Sequence, residues 1–486
     1  MKRLILVFFL LVLFYPFKLS AQQGDNNFFG NIANIQAKRL KLLEEKKPPV
    51  VPEKYLSMEK GAGNAFKAVK EISTKEELDK VVGALREKFL PFMKDLAPAM
   101  PGLRNRIALK EFQWRVETDG DKKDFINTLR GKGNWQKVAI PHFGPPLGKA
   151  VTYYYKKVNI PAEMLNGKAL FACFKGVDYI AQVFLNGSFA GAHEGFFAPF
   201  EFNISKYAHA GENDLLIKVE NDFTTTGFVA AGRPHILGDK IYGATGVGYD
   251  DFFGGGHQCA PGMGIYQDCY LEARSLIHIE DVFVRPLFDS SAAEIRVMVN
   301  NFDAGKQPVT FSLSVFGQNF NATVIRDSMI NPVVMHVPGI GDLQKPTDWE
   351  VNKVKLGAGV NYFTWEIKLP HFRPWSSDAP WLYQLQVKVL DQDNEMTDVY
   401  KQSFGMRSFR MDTLSHPKGA LYFNNEKIRL RGANDMGFMQ QDVFKKDWKQ
   451  LIDDILLAKA CNMNFIRLTQ RPEQPEVYEY ADKLGM

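Results

Sequence analysis

Residues 421–486, LYFNNEKIRLRGANDMGFMQQDVFKKDWKQLIDDILLAKACNMNFIRLTQRPEQPEVYEYADKLGM, pass through four structural patterns in turn. Asn424-Asn425 is a tight-turn pair, because Asn tolerates the left-handed backbone that a two-residue hairpin needs. Ile428 to Arg431 alternates apolar and charged residues, which predicts a strand, and Gly432-Ala433-Asn434-Asp435 is expected to end it in a polar turn. From Lys446 the period changes. Trp448, Leu451, Ile452, Ile455, Leu456 and Ala458 recur at three and four residues, which gives a helix one apolar face. Asn464 to Leu468 reads as a second strand, and Pro475 occupies the first position of a second helix through Val477, Tyr478 and Ala481. Strands alternating with helices imply a parallel sheet, and in a (β/α)8 barrel the chemistry lies at the C-terminal strand ends. That order puts Asn434, Asp435, Thr469, Gln470 and Arg471 at the mouth.

Upstream the texture is different. Trp135 to Pro141, Tyr153 to Lys157 and Ala169 to Lys175 are β-rich runs without helical period, and Val183 to Phe189 holds an Asn186-Gly187 hairpin between apolar strands. Gly211 to Asp214 is expected to turn the chain into Leu215 to Val219. Ile279 to Val284, Glu294 to Val299, Val309 to Val315, Phe363 to Lys368 and Leu382 to Leu390 continue the series. Many short strands at this spacing predict β-sandwiches.

Several of these stretches, in order, resemble glycoside hydrolase family 2, which holds β-galactosidases, β-glucuronidases and β-mannosidases. Leu430 to Asn434, Asp454 to Lys459 and Asn462 to Arg467 are similar to the opening of that family's barrel. Trp135 to Pro141, Leu185-Asn186-Gly187, Gly195 with Pro199-Phe200, Asn213 to Val219 and Gly264 to Asp268 resemble its jelly-roll sugar-binding domain. Trp375 to Tyr383 resembles a late stretch of its immunoglobulin-like domain, and Phe404 to Arg407 the connection into the barrel. The resemblance implies a mainly β multidomain chain. Its expected parts are a jelly-roll β-sandwich over 104–275, an immunoglobulin-like β-sandwich over 276–406 and the start of a TIM barrel over 407–486.

Met1-Lys2-Arg3 followed by an apolar run to Tyr15 and by Leu19-Ser20-Ala21 predicts a signal peptide over 1–21, hence a periplasmic or secreted protein. The apolar core is shorter than the roughly 20 residues that span a bilayer, so no membrane association is expected after cleavage. Residues 22–103 read as a helical leader, either packed on the next domain or a spacer, with a helix from near Lys75 to Met93 and capping-box spacing at Ser73 and Glu76. Four cysteines in 486 residues are too few for a disulfide framework. Cys259 and Cys269 could pair across a turn, whereas Cys173 and Cys461 read as buried thiols. A formal charge of +5 without a basic cluster excludes a nucleic-acid partner, and homo-oligomerisation is left open. No cofactor is called for. Asp250, His257 and the cysteines match no trusted metal spacing.

Retaining glycoside hydrolysis needs two carboxyl groups about 5–5.5 Å apart. The resemblance implies two glutamates on later barrel strands. A complete barrel takes roughly 250 residues against about 70 here, so the chain alone is expected to be inactive. No catalytic residue is therefore assigned; Glu473 and Glu476 are placed on the second helix and Glu426 ahead of the first strand. The implied substrate-binding residues are Arg467, which matches an arginine at the end of the second strand, and Asn434, which matches the polar residue after the first. Asp250 and Asp251, in a Gly-rich loop between the jelly-roll strands, are expected to shape the sugar pocket; capping a turn is the competing role. Met436 and Gln470-Arg471 stand where family β-galactosidases carry His and His-Tyr. The expected partner is an oligosaccharide or glycan substrate. Two competing readings are a secreted carbohydrate-binding sandwich that uses Tyr153 to Tyr155, Phe196 and Phe197, and a purely structural module.

Overall fold

Two asparagine turns set strand registers in different parts of the chain. Asn186 and Gly187 take φ of 50° and 79°, and Asn424 and Asn425 take 50° and 68°. Positive φ at both central residues suits the twist of a two-residue hairpin. The strands on either side therefore pair as expected, Ile180–Leu185 with Ser188–Glu194 and Ala420–Phe423 with Glu426–Ile428. The computed structural model describes residues 72–96, 103–146, 149–222, 262–303, 308–337, 341–344, 353–414, 418–435, 437–468 and 472–486. The stretch expected to be a signal peptide, most of the leader, Asp250, Asp251, His257, Cys259, Met436 and Thr469 to Arg471 lie outside them.

In the first sandwich a six-stranded antiparallel sheet faces a four-stranded one. Alternation explains the core: Ile180–Leu185 buries every second residue, and Ala181, Val183 and Leu185 meet Leu170, Ala172 and Phe174 of the opposite sheet. Gly211–Asp222 is one continuous strand, paired over its whole length with Lys149–Ile160. The turn expected at Gly211 to Asp214 is therefore only the strand's beginning, entered by Gly211 at φ 92°.

Tyr153, Tyr154 and Tyr155 are consecutive yet all buried. Two helices of five residues each, Asp119–Lys123 and Phe125–Leu129, explain it. They bring Phe125 and Leu129 over the outer face, where Tyr153, Tyr155 and Leu216 form a second small core.

The second sandwich packs a five-stranded sheet on a four-stranded one. Tyr383–Leu390 alternates strictly, and Trp365, Phe311 and Phe363 fill the centre, with Phe311 and Trp365 ring centroids 5.1 Å apart.

After a three-stranded antiparallel connection the barrel segment begins. Its first strand is Gly432–Asp435, paired parallel with Phe465–Leu468. This corrects the expectation of a strand over Ile428 to Arg431: Ile428 closes the preceding hairpin, and the polar residues read as a turn are the strand itself. A helix not foreseen, Phe438–Lys445, precedes the expected one, Trp448–Ala460. Pro475–Leu484 follows with Pro475 in its first turn.

The described leader is neither a spacer nor a cover for the next domain. Helix Lys75–Phe89 buries Phe89 against Leu451, Ile455 and Leu456 of the barrel segment. Thr74 caps it instead of Ser73, its hydroxyl accepting from Glu77 N at 3.2 Å. Asn319 Nδ2 and Gln318 Nε2 of the second sandwich donate to the Phe92 and Lys94 carbonyls. Cys173 and Cys269 are buried free thiols, the latter 3.6 Å from the Leu109 carbonyl. Cys461 is also free but exposed, because it caps the end of a helix and does not sit on its apolar face.

Candidate functional site

Parallel pairing places Asn434 directly opposite Arg467. Side chains of facing residues share one side of a sheet, so the two meet, and Arg467 Nη1 donates to Asn434 Oδ1 at 3.2 Å. Both are exposed. Asp435 is the one carboxylate on these two strands among the described residues; it is largely buried and its Oδ1 accepts from Phe438 N at 3.1 Å. That bond satisfies the first free N–H of helix Phe438–Lys445. What the pair presents to solvent is thus a guanidinium fork held by an amide, suited to hydroxyl or carboxylate oxygens.

The first sandwich docks on the segment just past the second strand. Gln474 is buried and its Nε2 donates to Tyr266 Oη at 2.9 Å, while that hydroxyl donates to the Phe196 carbonyl. The Tyr266 and Phe196 rings stack at 4.1 Å and 8°. Phe143 meets Tyr266 on one side and Phe444 of the barrel segment on the other. Lys175 pairs with Glu476 at 2.7 Å and Lys446 with Asp268 at 2.9 Å. Gly176 belongs to this contact, since a Cβ there would lie 2.5 Å from the Tyr266 ring.

Two sequence expectations change here. Phe196 and Tyr153 to Tyr155 cannot offer flat faces to a sugar, because packing consumes them; Phe197 is half-buried against Phe196. Glu473 precedes the last helix and is buried, whereas Glu476 lies in its first turn and binds Lys175. Neither sits at a strand end, so neither is a catalytic carboxylate. Gln474 was not legible as an interface residue, because nothing local distinguishes a buried amide before a helix from a solvated one. Among the described residues no group of three or more His, Cys, Asp or Glu side chains is placed to hold a metal ion.

The two connecting helices carry a carboxyl pair. Burial, and then the facing Asp454 carboxyl, pushes Asp442 up to about 7, and burial likewise raises Asp454, whose Oδ1 accepts from Gln450 Nε2 at 2.6 Å. Asp447 and Asp453 add negative charge and Lys445 opposes it. A raised carboxyl means that the folded chain binds more protons than the unfolded one between roughly pH 4 and 7, so stability falls as pH rises through that window. Asp442→Asn keeps the amide-to-carboxylate bond and removes the charge. It should stabilise by about 1–2 kcal/mol at pH 8 and change little at pH 4.5. Melting curves at the two pH values check this, and an equal effect at both refutes the raised Asp442 carboxyl.

Three models of one family match the chain in sequence order. They are the glycosyl hydrolase 2 galactose-binding domain-like model at residues 147–240, the glycosyl hydrolases family 2 model at 277–407 and its TIM barrel domain at 416–486. A β-galactosidase of Thermoanaerobacter pseudethanolicus is 26% identical over 368 residues, 73% of this chain and 42% of that one. A β-galactosidase of Streptococcus thermophilus is 27% identical over 398 residues, 78% and 32% of the two chains. Among solved structures, a Bacteroides uniformis β-glucuronidase superposes with TM-score 0.55 at 17% identity, covering 79% of this chain and 41% of the other. A Ruminococcus gnavus β-glucuronidase in complex with D-glucuronic acid gives 0.53 at 18%, covering 81% and 61%. The chain thus spans less than half the length of these curated relatives. Two sandwiches and a barrel opening, each matched by the corresponding model, identify the chain as a member of glycoside hydrolase family 2.

Proposed function

We propose that the protein is an exported glycosidase that removes a β-linked sugar from the end of an oligosaccharide or glycan with retention of configuration. Arg467 and Asn434 bind the sugar, Asp250 and Asp251 approach it from the first sandwich, and the two catalytic carboxyl groups come from barrel strands beyond this pair. The observation that carries the reading is the register of the parallel pair, which brings together at one sheet surface the two residues of substrate-binding type. The names of the relatives support a β-galactoside or β-glucuronide as substrate class. An exposed guanidinium suits the carboxylate of the second as well as the hydroxyls of the first.

The test is proton NMR of aryl β-galactoside and β-glucuronide turnover by the native protein. Release of the β-anomer first is expected; the α-anomer first, or no turnover of any β-glycoside, refutes the proposal. Arg467→Ala should weaken sugar affinity by about 10–100-fold, since a hydrogen bond to a charged group contributes about 1.5–3 kcal/mol. Stability should stay within about 0.5 kcal/mol, as for other exposed positions.

A further inference from the structure

The outer face of the six-stranded sheet carries a groove of about 540 Å³, within the range of small-ligand sites. It lies wholly on the first sandwich, between Glu111, Gln113, Trp135, Lys137, Lys156 and Lys157. Gly133 and Trp135 form its wall, in the connection between strands Glu111–Val116 and Gln136–Ala139 that also carries the two five-residue helices described above.

That wall is rigid. Asp121 is buried, accepts from Thr128 Oγ1 at 2.6 Å and pairs with the Arg115 guanidinium. Arg115 also donates to the Lys132 carbonyl at 3.0 Å and lies 4.1 Å over the Trp135 ring. Trp135 in turn stacks on Tyr155 with centroids 5.7 Å apart, and its Nε1 donates to the Gly131 carbonyl at 2.9 Å. Tyr155 Oη is fixed by Asp214 at 2.6 Å. Guanidinium, indole and phenol are thus locked in one stack before any ligand arrives, which removes the ordering cost of binding.

Three lysines and one glutamate line the groove, a charge of +2 for the lining itself, with Glu212 and Asp214 beside it. Lys137 pairs with Glu111 at 2.8 Å, with the two side chains 71% and 52% exposed. Lys157 pairs with Glu212, again with both side chains exposed, and Lys156 Nζ donates to the Glu111 carbonyl, not to a carboxylate. Exposed pairs of this kind contribute only about 0–1 kcal/mol, so an incoming anion can exchange for the glutamates. The exposed Gln113 amide and the Glu111 carboxylate add the donor and acceptors that hydroxyl groups require, and the half-buried Trp135 ring supplies an apolar surface for ring C–H groups. The volume accommodates a few sugar rings.

We propose that this groove is a second glycan-binding site, separate from the barrel mouth, for a negatively charged oligosaccharide bearing uronate or sulfate groups. It rests on the reading of the protein as a glycosidase, and it would hold a polymeric substrate near the enzyme independently of catalysis.

Calorimetric titration of the full chain with a tetrasaccharide of alternating β-linked uronate and N-acetylhexosamine tests it. A neutral β-linked glucotetraose and sodium sulfate serve as comparators. The acidic tetrasaccharide should bind at least about 10-fold more tightly than either comparator. Lys137→Glu with Lys157→Glu, both at exposed positions, should weaken it by about 10-fold or more without moving the melting temperature. Arg467→Ala should leave this binding unchanged. Absence of binding, equal affinity for sulfate, or indifference to the charge reversal overturns the site. Hydrolysis without this binding removes the groove alone, whereas binding without hydrolysis removes the proposed activity alone.

Discussion

Replacing Glu272 by alanine is expected to cost the first sandwich about 3–5 kcal/mol, the range for removing one partner of a buried ion pair. The Glu272 side chain is 1% exposed on strand Cys269–Ser275. It accepts from Arg274 Nε at 2.7 Å and from Arg106 Nε, and Arg104 Nη1 lies 3.6 Å away. Arg104 also reaches Asp398 of the second sandwich at 2.6 Å, and Asp398 accepts from Ile279 N at 2.8 Å. Arg274 continues to Glu201 at 2.5 Å. Without Glu272, three guanidinium groups face two carboxylates across the joint between the sandwiches. Its loss should therefore destabilise both. Burial alone would raise the Glu272 carboxyl, but Arg274, Arg106 and Arg104 override it and hold it below its ordinary 4.5. A depressed carboxyl stabilises above its unfolded value and loses that stabilisation as pH falls through the folded one. The unsubstituted chain should thus lose stability below about pH 4.5 more steeply than the variant. Urea denaturation at pH 7 and pH 4 measures both effects. A shift under about 1 kcal/mol at pH 7 would mean that solvent already replaces the network.

Phe89→Ala is the second large effect, with an expected loss of about 3–5 kcal/mol for a fully buried phenylalanine. Phe89 is 0% exposed, with the Lys459 ammonium 4.6 Å from its ring and Phe92 6.2 Å from it. Phe92 in turn meets Trp381 edge-on at 4.8 Å. Surrounding ion pairs join Arg86 to Asp453, Lys88 to Asp378 and Lys483 to Asp95. The barrel segment should unfold first in the variant, and protease should cut within 72–96 earlier. Leu90→Ala, at a position 60% exposed, is the matched control and should stay within about 0.5 kcal/mol. Equal behaviour of the two variants would show that the helix contributes nothing to the barrel segment.

What could be read in advance depended on whether the cause was local. Asn186-Gly187 and Asn424-Asn425 were legible because their backbone demand is met by residue type alone. Tyr383–Leu390 and Trp448–Ala460 were legible because one face of each is core. Gly432–Asp435 was misplaced because it has no apolar period: Gly432 lies against the Phe465 backbone, Asn434 faces Arg467, and pairing with a strand 33 residues on makes it a strand. Tyr153 to Tyr155 were misread because consecutive aromatics give no sign that both sheet faces are covered, and the covering helices are too short for any period. Phe438–Lys445 was missed because it buries Gln440, Gln441 and Asp442 beside Met439 and Val443. Of the candidate site, Asn434 could be named from the strand order and Arg467 only from the family resemblance, and neither revealed their mutual contact.

The docked leader helix also has a consequence for how the chain is made. Arg86 and its partner Asp453 are 367 residues apart in sequence, so the helix leaves the ribosome long before its binding surface exists. At ordinary elongation rates the delay is about 20–70 s, far longer than the sub-second folding of a small sandwich. Val82, Leu85, Phe89 and Phe92 stay uncovered by their final partners throughout that interval, while both sandwiches are synthesised. The apolar stripe is therefore a natural client for a holding chaperone.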